Sequence, residues 1–555
     1  MDAFELSHRL VDEYAALRPT VATFMGVPGH DHRWDDFSPA GAAALDAFVA
    51  RTRAALAALP TPPDHWHALA AETLADWCAL EEERATHRDY LHDLNSLTST
   101  FQLVRMVFDV MDSATGEGWD AITARVEGLP AALVGYRALL AEALAQGEIV
   151  ALRQVEACLR QGRLTAADDG FFQGLATTLA GTEYADPRRV ARLAAALPAA
   201  RAAISELTDW LESTYAPRAP KADGVGRERY IRSARRFLGM TLNPEETYAW
   251  GWREVREIEA QMAALADQIQ AGATTAEVLT RLREDPAGQA PSAEAFLEMM
   301  RARQMQALSD LEGRHFDVPE PVRRLEVKRA PDTGVRGAYY MQPSEDFSRP
   351  GAIWYALSGD GPVALWDEIS TAYHEGFPGH HLQIGVQISL TRHLSRWQRL
   401  GDGYSGYAEG WALYTEELMR ELGYYERPEY VFGMLANQLI RALRVVIDIG
   451  AHLDLPIPQD APFGAGERWT FERAVTTLCE RAGMSPDHAE SDVTRYFGWP
   501  GQAISYKVGQ RVMLSLREAW RARHGHDLAS LRAFHAQVLG CGPVGLDRLR
   551  ALVIG

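Results

Sequence analysis

The sequence predicts a mainly α protein carrying one small antiparallel β-sheet, and three observations lead there. Apolar residues recur at intervals of three and four through most of the chain, as in LDAFVARTRAALAAL and VARLAAALPAARAAISELTDWLEST, which is the period of amphipathic helices. β-Branched and aromatic residues concentrate in a single stretch, 322–358. The chain is 555 residues long, 47% hydrophobic and 24% charged, enough for several cores and unlike a disordered or fibrous composition.

Taken in order, residues 1–215 form an N-terminal helical region rich in Ala, Leu, Arg and Glu. The segment APRAPKADGVG, 216–226, places two prolines and two glycines between helical patterns and reads as the linker to a second region, 227–555. That region's first long helix has a strong start signal in Asn243, Pro244, Glu245 and Glu246: a capping residue, a proline at the first turn, then acids facing the helix dipole. VRRLEVKRA, GAYYMQP and GAIWYALS follow as strands separated by turn formers, the last either an edge open to an extended partner or an internal strand. From 365 onward the helical period returns, with loops near 399–405, 455–468 and 498–502.

A net charge of −19 argues against a nucleic-acid partner and against adhesion to an anionic membrane. Cys78, Cys158, Cys479 and Cys541 lie far apart without metal-ligand spacing, and read as reduced thiols. The N-terminus lacks a basic segment followed by an apolar one, and no run reaches the roughly 18 uninterrupted apolar residues of a membrane span, so a cytoplasmic location is expected.

Chemistry concentrates at TAYHEGFPGHHLQ, where His374 and Glu375 are followed by His380 and His381. A chance match to this arrangement is expected about twice in a thousand chains of this composition. Imidazoles bind zinc, and a carboxylate beside the first ligand lies within reach of zinc-activated water, roles that suit His374 and Glu375. The spacing is unusual. In a straight helix His380 would sit about 120° from His374, and His381 about 20° away but some 10 Å further along. Pro378 cannot donate to the carbonyl of residue 374 and crowds it, so the helix is expected to kink or loop out, which favours His380 as second ligand and keeps His381 as the alternative. A third ligand is sought in YSGYAEGWALYTEE, where Glu409 and Glu416 are seven apart on one helical face.

HEGFPGHHLQ, YAEGWALYTEEL and WPGQAISYKVG together resemble the bacterial family catalogued as domain of unknown function 885, itself similar to the zinc peptidases grouped with carboxypeptidase Taq, thimet oligopeptidase and angiotensin-converting enzyme. RYIRSARRFLGMTLNPEETYAWG and RALRVVIDIGAH extend the resemblance over most of the chain. It implies a zinc-peptidase-like helical fold with a deep groove, His374, His380 and Glu409 as zinc ligands, Glu375 as the base, and Tyr506 as a donor to the oxyanion. Lys507, Arg495 and Tyr496 are candidates for holding substrate, with a surface position as the other reading of Lys507. Arg441, Arg444, Asp448 and His452 recur on one face of a helix, either as a buried ion-paired face or as groups that orient ligands. The expected function is zinc-dependent hydrolysis of a short peptide or small amide, an exopeptidase being favoured. The rivals are a metalloenzyme acting on a non-peptide amide of small-molecule metabolism and a non-catalytic metal-binding protein.

Overall fold

The computed structural model describes residues 1–330, 337–401 and 403–555; the connection 331–336 between two predicted strands and Asp402 in a predicted loop lie outside them. The chain divides into two units: Met1–Asp223 with Ser395–Gly401, and Gly224–Leu394 with Asp402–Gly555.

The regular elements of the first unit are all helices among the described residues. Helices α1 (Ala3–Leu17), α2 (His65–Thr86), α3 (Gly116–Gln146) and α4 (Pro187–Trp210) are its main members. Along α3, Trp119, Ile122, Val126, Leu129, Leu133, Tyr136 and Leu140 step by three and four and are all buried, facing Val155, Leu193, Leu197 and Ile204, the pattern of one apolar stripe closing a core. Residues 395–401, which the sequence places in the C-terminal region and partly in a loop, instead belong to this unit as a short helix, Arg396–Leu400. The reason is Trp397. Its ring packs 4.7 Å from Trp77 and 5.3 Å from Tyr14, and the Trp397 backbone N–H donates to Ser7 Oγ at 2.8 Å.

The first long helix of the second unit is α5 (Pro244–Ile269), which follows a shorter helix, Arg227–Leu238, and starts as expected: Asn243 Oδ1 accepts the N–H groups of Glu245 and Glu246 at 3.1 and 3.2 Å. Helix α6 (Ala293–Leu311) precedes the strands β1 (Leu325–Arg329), β2 (Gly337–Met341) and β3 (Gly351–Ala356). The sheet is mixed where an antiparallel one was expected: β3 lies in the centre, parallel to β1 (Leu325 opposite Gly351) and antiparallel to β2 (Gly337 opposite Ala356). Burial explains the order, since Ala352, Ile353 and Tyr355 of β3 are buried while β1 and β2 are half-exposed, and the most apolar strand takes the interior. GAIWYALS is therefore an internal strand with no free edge.

Beyond the sheet come α7 (Glu368–Glu375), α8 (His380–Ser389), α9 (Ser405–Glu421), α10 (Pro428–His452), α11 (Pro486–Gly498) and α12 (Ser505–His524). Helix α10 is long and apolar enough to cross a membrane by composition, yet 78% of its most apolar window is buried inside the protein, which makes it a core helix. Helices α9 and α12 touch backbone to backbone. A Cβ on Gly509 would fall 2.1 Å from the carbonyl oxygen of Gly406, and one on Gly410 would fall 2.6 Å from Gly509 Cα. Only glycine permits that approach, and it brings Glu409 of α9 and Tyr506 of α12, each adjacent in sequence or nearly so to the crossing, to the same place.

Candidate metal centre

His374 and Glu375 occupy the last turn of α7, which stops at Gly376. Pro378 has no N–H to continue the helical ladder, and the break is complete: the Phe377–Pro378 peptide is cis, and a new helix, α8, starts at His380. Two side chains from distant segments hold the connection. Gln304 of α6 donates from Nε2 to the Ala372 carbonyl at 2.7 Å and accepts the Phe377 N–H at 2.6 Å, replacing the bonds that the helix gives up. Trp411 of α9 donates its indole N–H to the Pro378 carbonyl at 2.9 Å. At Gly379 a Cβ would stand 2.0 Å from the His374 carbonyl oxygen, so the chain can double back only with glycine here.

This turn places the His380 ring 4.8 Å from the His374 ring, and ligand atoms of His374, His380 and Glu409 lie within 4.8 Å of one another. Among the described residues this is the one such cluster of metal-binding side chains. His374 Nε2 is 3.2 Å and His380 Nε2 3.6 Å from Glu409 Oε2. His380 Nδ1 is a buried atom without a hydrogen-bond partner, and Glu409 Oε2 has only the two imidazoles near it. Buried polar atoms are rarely left so, and two imidazoles with a carboxylate are a donor set that fits an open zinc site.

His381 points elsewhere. Its Nε2–H donates to the Val322 carbonyl at 2.6 Å and its Nδ1 accepts from the Tyr340 hydroxyl at 3.0 Å, so both ring nitrogens are used. Burial lowers its pKa to about 4, which keeps it neutral. Of the two neighbouring histidines, the geometry brings only His380 to the cluster.

Glu416, two turns along α9 from Glu409, meets the other side of His374: Oε1 lies 2.7 Å from Nδ1. An ionised carboxylate only accepts, so Nδ1 carries a proton, and in the neutral imidazole that a metal requires Nε2 is the nitrogen whose lone pair faces Glu409 and His380. Gln438 of α10 donates to Glu416 Oε2 at 3.3 Å and accepts from Lys507 Nζ at 3.2 Å. Lys507 is itself buried, paired with Glu254 at 3.0 Å and donating to Gln510 at 2.8 Å. Lys507 is thus neither a surface residue nor free for substrate; it ends a buried chain that fixes His374.

The Tyr506 ring stacks 6.4 Å from the His374 ring, the Arg444 guanidinium lies 4.8 Å from the Tyr506 ring centre, and the Tyr506 hydroxyl makes no hydrogen bond with a described residue. Tyr496 is fully buried: its hydroxyl donates to Asp492 Oδ2 at 2.5 Å and accepts from Arg444 Nε at 2.7 Å, so its expected contact with substrate is replaced by a structural one. Arg495 shares the same carboxylate, Nη2 to Asp492 Oδ1 at 3.1 Å, and reaches Gln502 at 3.4 Å. Asp448 accepts from Tyr230 at 2.6 Å and from the Gly501 N–H at 3.0 Å, tying the turn that leads into α12, and His452 donates to the Tyr496 carbonyl at 3.0 Å. The face Arg444, Asp448 and His452 is buried and bonded, whereas Arg441 forms no ion pair with any described residue.

Charge at the centre is strongly coupled. Burial opposes a charged His374, but the hydrogen bonds that the charged ring donates to the Glu409 and Glu416 carboxylates outweigh it and raise its pKa to about 10. Burial likewise opposes ionised Glu409, and the two histidines overcome it, holding the carboxyl well below its usual range. Glu375 has no such partner. Burial pushes its carboxyl up, only partly offset by the nearby His374 and His380. Sequence reasoning missed Gln304, Gln438 and Trp411, whose roles depend on packing between distant segments; the seven-residue step from Glu409 was the one signal for Glu416.

Two solved structures share this fold. The "putative lipoprotein" from Colwellia psychrerythraea matches with a TM-score of 0.86 at 22% identity, over 99% of this chain and 98% of that one. The "putative lipoprotein of unknown function" from Shewanella oneidensis matches with a TM-score of 0.74 at 19% identity, over the full length of both. No curated protein matches the chain. Residues 19–553 match the family described as bacterial protein of unknown function, DUF885, and the chain belongs to that family.

Proposed function

We propose that the protein is a zinc-dependent hydrolase of peptide or amide bonds, acting on short substrates. The observation that carries this reading is the convergence of His374, His380 and Glu409 beside an unpaired, half-buried carboxylate, Glu375. Zinc held by those three side chains would supply a Lewis acid that makes water acidic near neutral pH and polarises a carbonyl. Glu375 has the position and the raised proton affinity to take a proton from the attacking water and deliver it to the leaving nitrogen. Tyr506, stacked beside His374 with an uncommitted hydroxyl, would donate to the oxygen that gains charge as the carbonyl becomes tetrahedral. Glu416 holds the His374 tautomer.

The test is Glu375→Gln, with zinc content and turnover measured on the same sample against a library of di- to hexapeptides. Zinc is expected to stay, and turnover to fall at least about a hundredfold. A zinc-replete variant cleaving at the parent rate would refute the role of Glu375, and failure of the parent to cleave any member would count against peptide hydrolysis.

A further inference from the structure

Among the described cationic groups around the centre, three close on a carboxylate and one, Arg441, does not. Arg444 and Arg495 share Asp492, and Lys507 pairs with Glu254. Arg441, one turn before Arg444 on α10, uses Nη1 on the carbonyl of Asn437 in its own helix at 3.0 Å, while its Nε is buried without a partner. A guanidinium held this way carries a charge and a planar fork of donors with nothing opposite, and buried polar groups are ordinarily satisfied.

Its position follows from how α10 lies along α7. A Cβ on Gly433 would meet the Trp366 carbonyl, and one turn later Asn437 Nδ2 donates to the Asp367 carbonyl at 3.1 Å and to Ser370 Oγ at 2.8 Å. The two helices therefore advance together, and the next turn of α10, at Arg441, falls beside the last turn of α7, which holds His374 and Glu375. Electrostatics agree: the charge of Arg441 acts on both Glu375 and Tyr506. No described carboxylate closes on it within ion-pair distance.

We infer that Arg441 is the anchor for a carboxylate on the substrate, which makes the substrate class short peptides or N-acyl amino acids with a free C-terminal α-carboxylate. The guanidinium fork matches a carboxylate with two parallel bonds, a geometry that lysine does not reproduce. This inference rests on the hydrolase reading for its setting, but its readout is binding.

The test compares a tripeptide library bearing free C-termini with the same library C-terminally amidated. Binding to zinc-loaded Glu375→Gln protein is measured by calorimetry, and turnover with the parent. Free acids are expected to bind about tenfold to a hundredfold more tightly than amides, the range of one hydrogen-bonded charge contact. Adding Arg441→Ala should abolish the difference, and Arg441→Lys should restore only part of it. Equal binding of acids and amides, an acid preference that survives in a folded Arg441→Ala protein, or no binding of any acid would each overturn the inference. Should Arg441→Ala not fold, the acid-to-amide comparison and Arg441→Lys decide. Acid-selective binding without cleavage would refute the hydrolase reading and leave the anchor, whereas cleavage of acids and amides alike would do the reverse.

Discussion

Removing the charge of Glu416 without changing its shape tests whether the centre is oriented from behind. His374 and Glu416 are 4% and 1% exposed, and their 2.7 Å contact is shielded from water. Because an ionised carboxylate accepts only, it admits a single tautomer of His374, with the proton on Nδ1 and the lone pair of Nε2 aimed at the cluster. Glu416→Gln replaces that acceptor with a group that can either accept or donate, so the imidazole can invert and put its proton where the metal would bind. Loss of such an orienting partner costs about tenfold to a hundredfold in metal affinity, or about 1.4–2.7 kcal/mol. The assay is competition for zinc against a chromophoric chelator at fixed pH, with circular dichroism confirming the fold. Glu417→Gln is the control, since the neighbouring acid pairs with Arg420 and faces away from the cluster. Zinc affinity for Glu416→Gln within about twofold of the parent would refute the argument that Nδ1 must be held.

Three other expectations follow from the same geometry. His380→Ala should lose zinc while keeping its fold, whereas His381→Ala should keep zinc and lose about 2–4 kcal/mol of stability in urea, since it empties a buried site and strands the Val322 carbonyl and the Tyr340 hydroxyl; the opposite pattern would reassign the ligand. Gly509→Ala should destabilise by about 1–3 kcal/mol, because its methyl would meet backbone of α9 and force the helices apart; an unchanged urea midpoint would refute the crossing. Without metal, the raised His374 contributes stability that is complete below its unfolded pKa of 6.5 and is lost as pH rises toward about 10, while depressed Glu409 contributes stability that is complete above 4.5 and lost at lower pH. Zinc requires neutral imidazole, so the rise in Tm on adding zinc should grow between pH 6 and 8, and a gain that shrinks over that interval would contradict this pairing.

The rare residue types were legible in the chain itself. His374, Glu375 and His380 stand out because histidine is scarce and the spacing is improbable by chance, and Glu409 and Glu416 because seven residues return to one helical face. The choice between His380 and His381 was not legible, because the path through 377–379 is set by Gln304 and Trp411, which lie 73 and 33 residues away from the atoms they bond. The parallel pairing of β1 with β3 was not legible for a related reason: the relative burial that puts β3 in the middle depends on what packs over it. Lys507 and Tyr496 looked like groups for substrate because polar residues beside a candidate site invite that reading, and only the positions of Glu254 and Asp492 show that both are already committed.

What separates the groups that build this centre from those free to act is whether the protein satisfies them. His374 is held by Glu416, Glu416 by Gln438, and Gln438 by Lys507. Arg444, Arg495 and Tyr496 close on Asp492. Each of these bonds removes freedom from a side chain and makes it scaffold. Glu375 has no hydrogen bond or ion pair among the described residues, the Tyr506 hydroxyl has none, and Arg441 reaches only its own helix. These three come from α7, α12 and α10, elements that share no turn and are brought together by the break at Pro378, the Gly410–Gly509 contact and the Gly433 contact. An acid, a phenol and a guanidinium left open beside one cluster of ligands are groups that a substrate could meet with a proton to take, an oxygen to receive a bond and a carboxylate to hold.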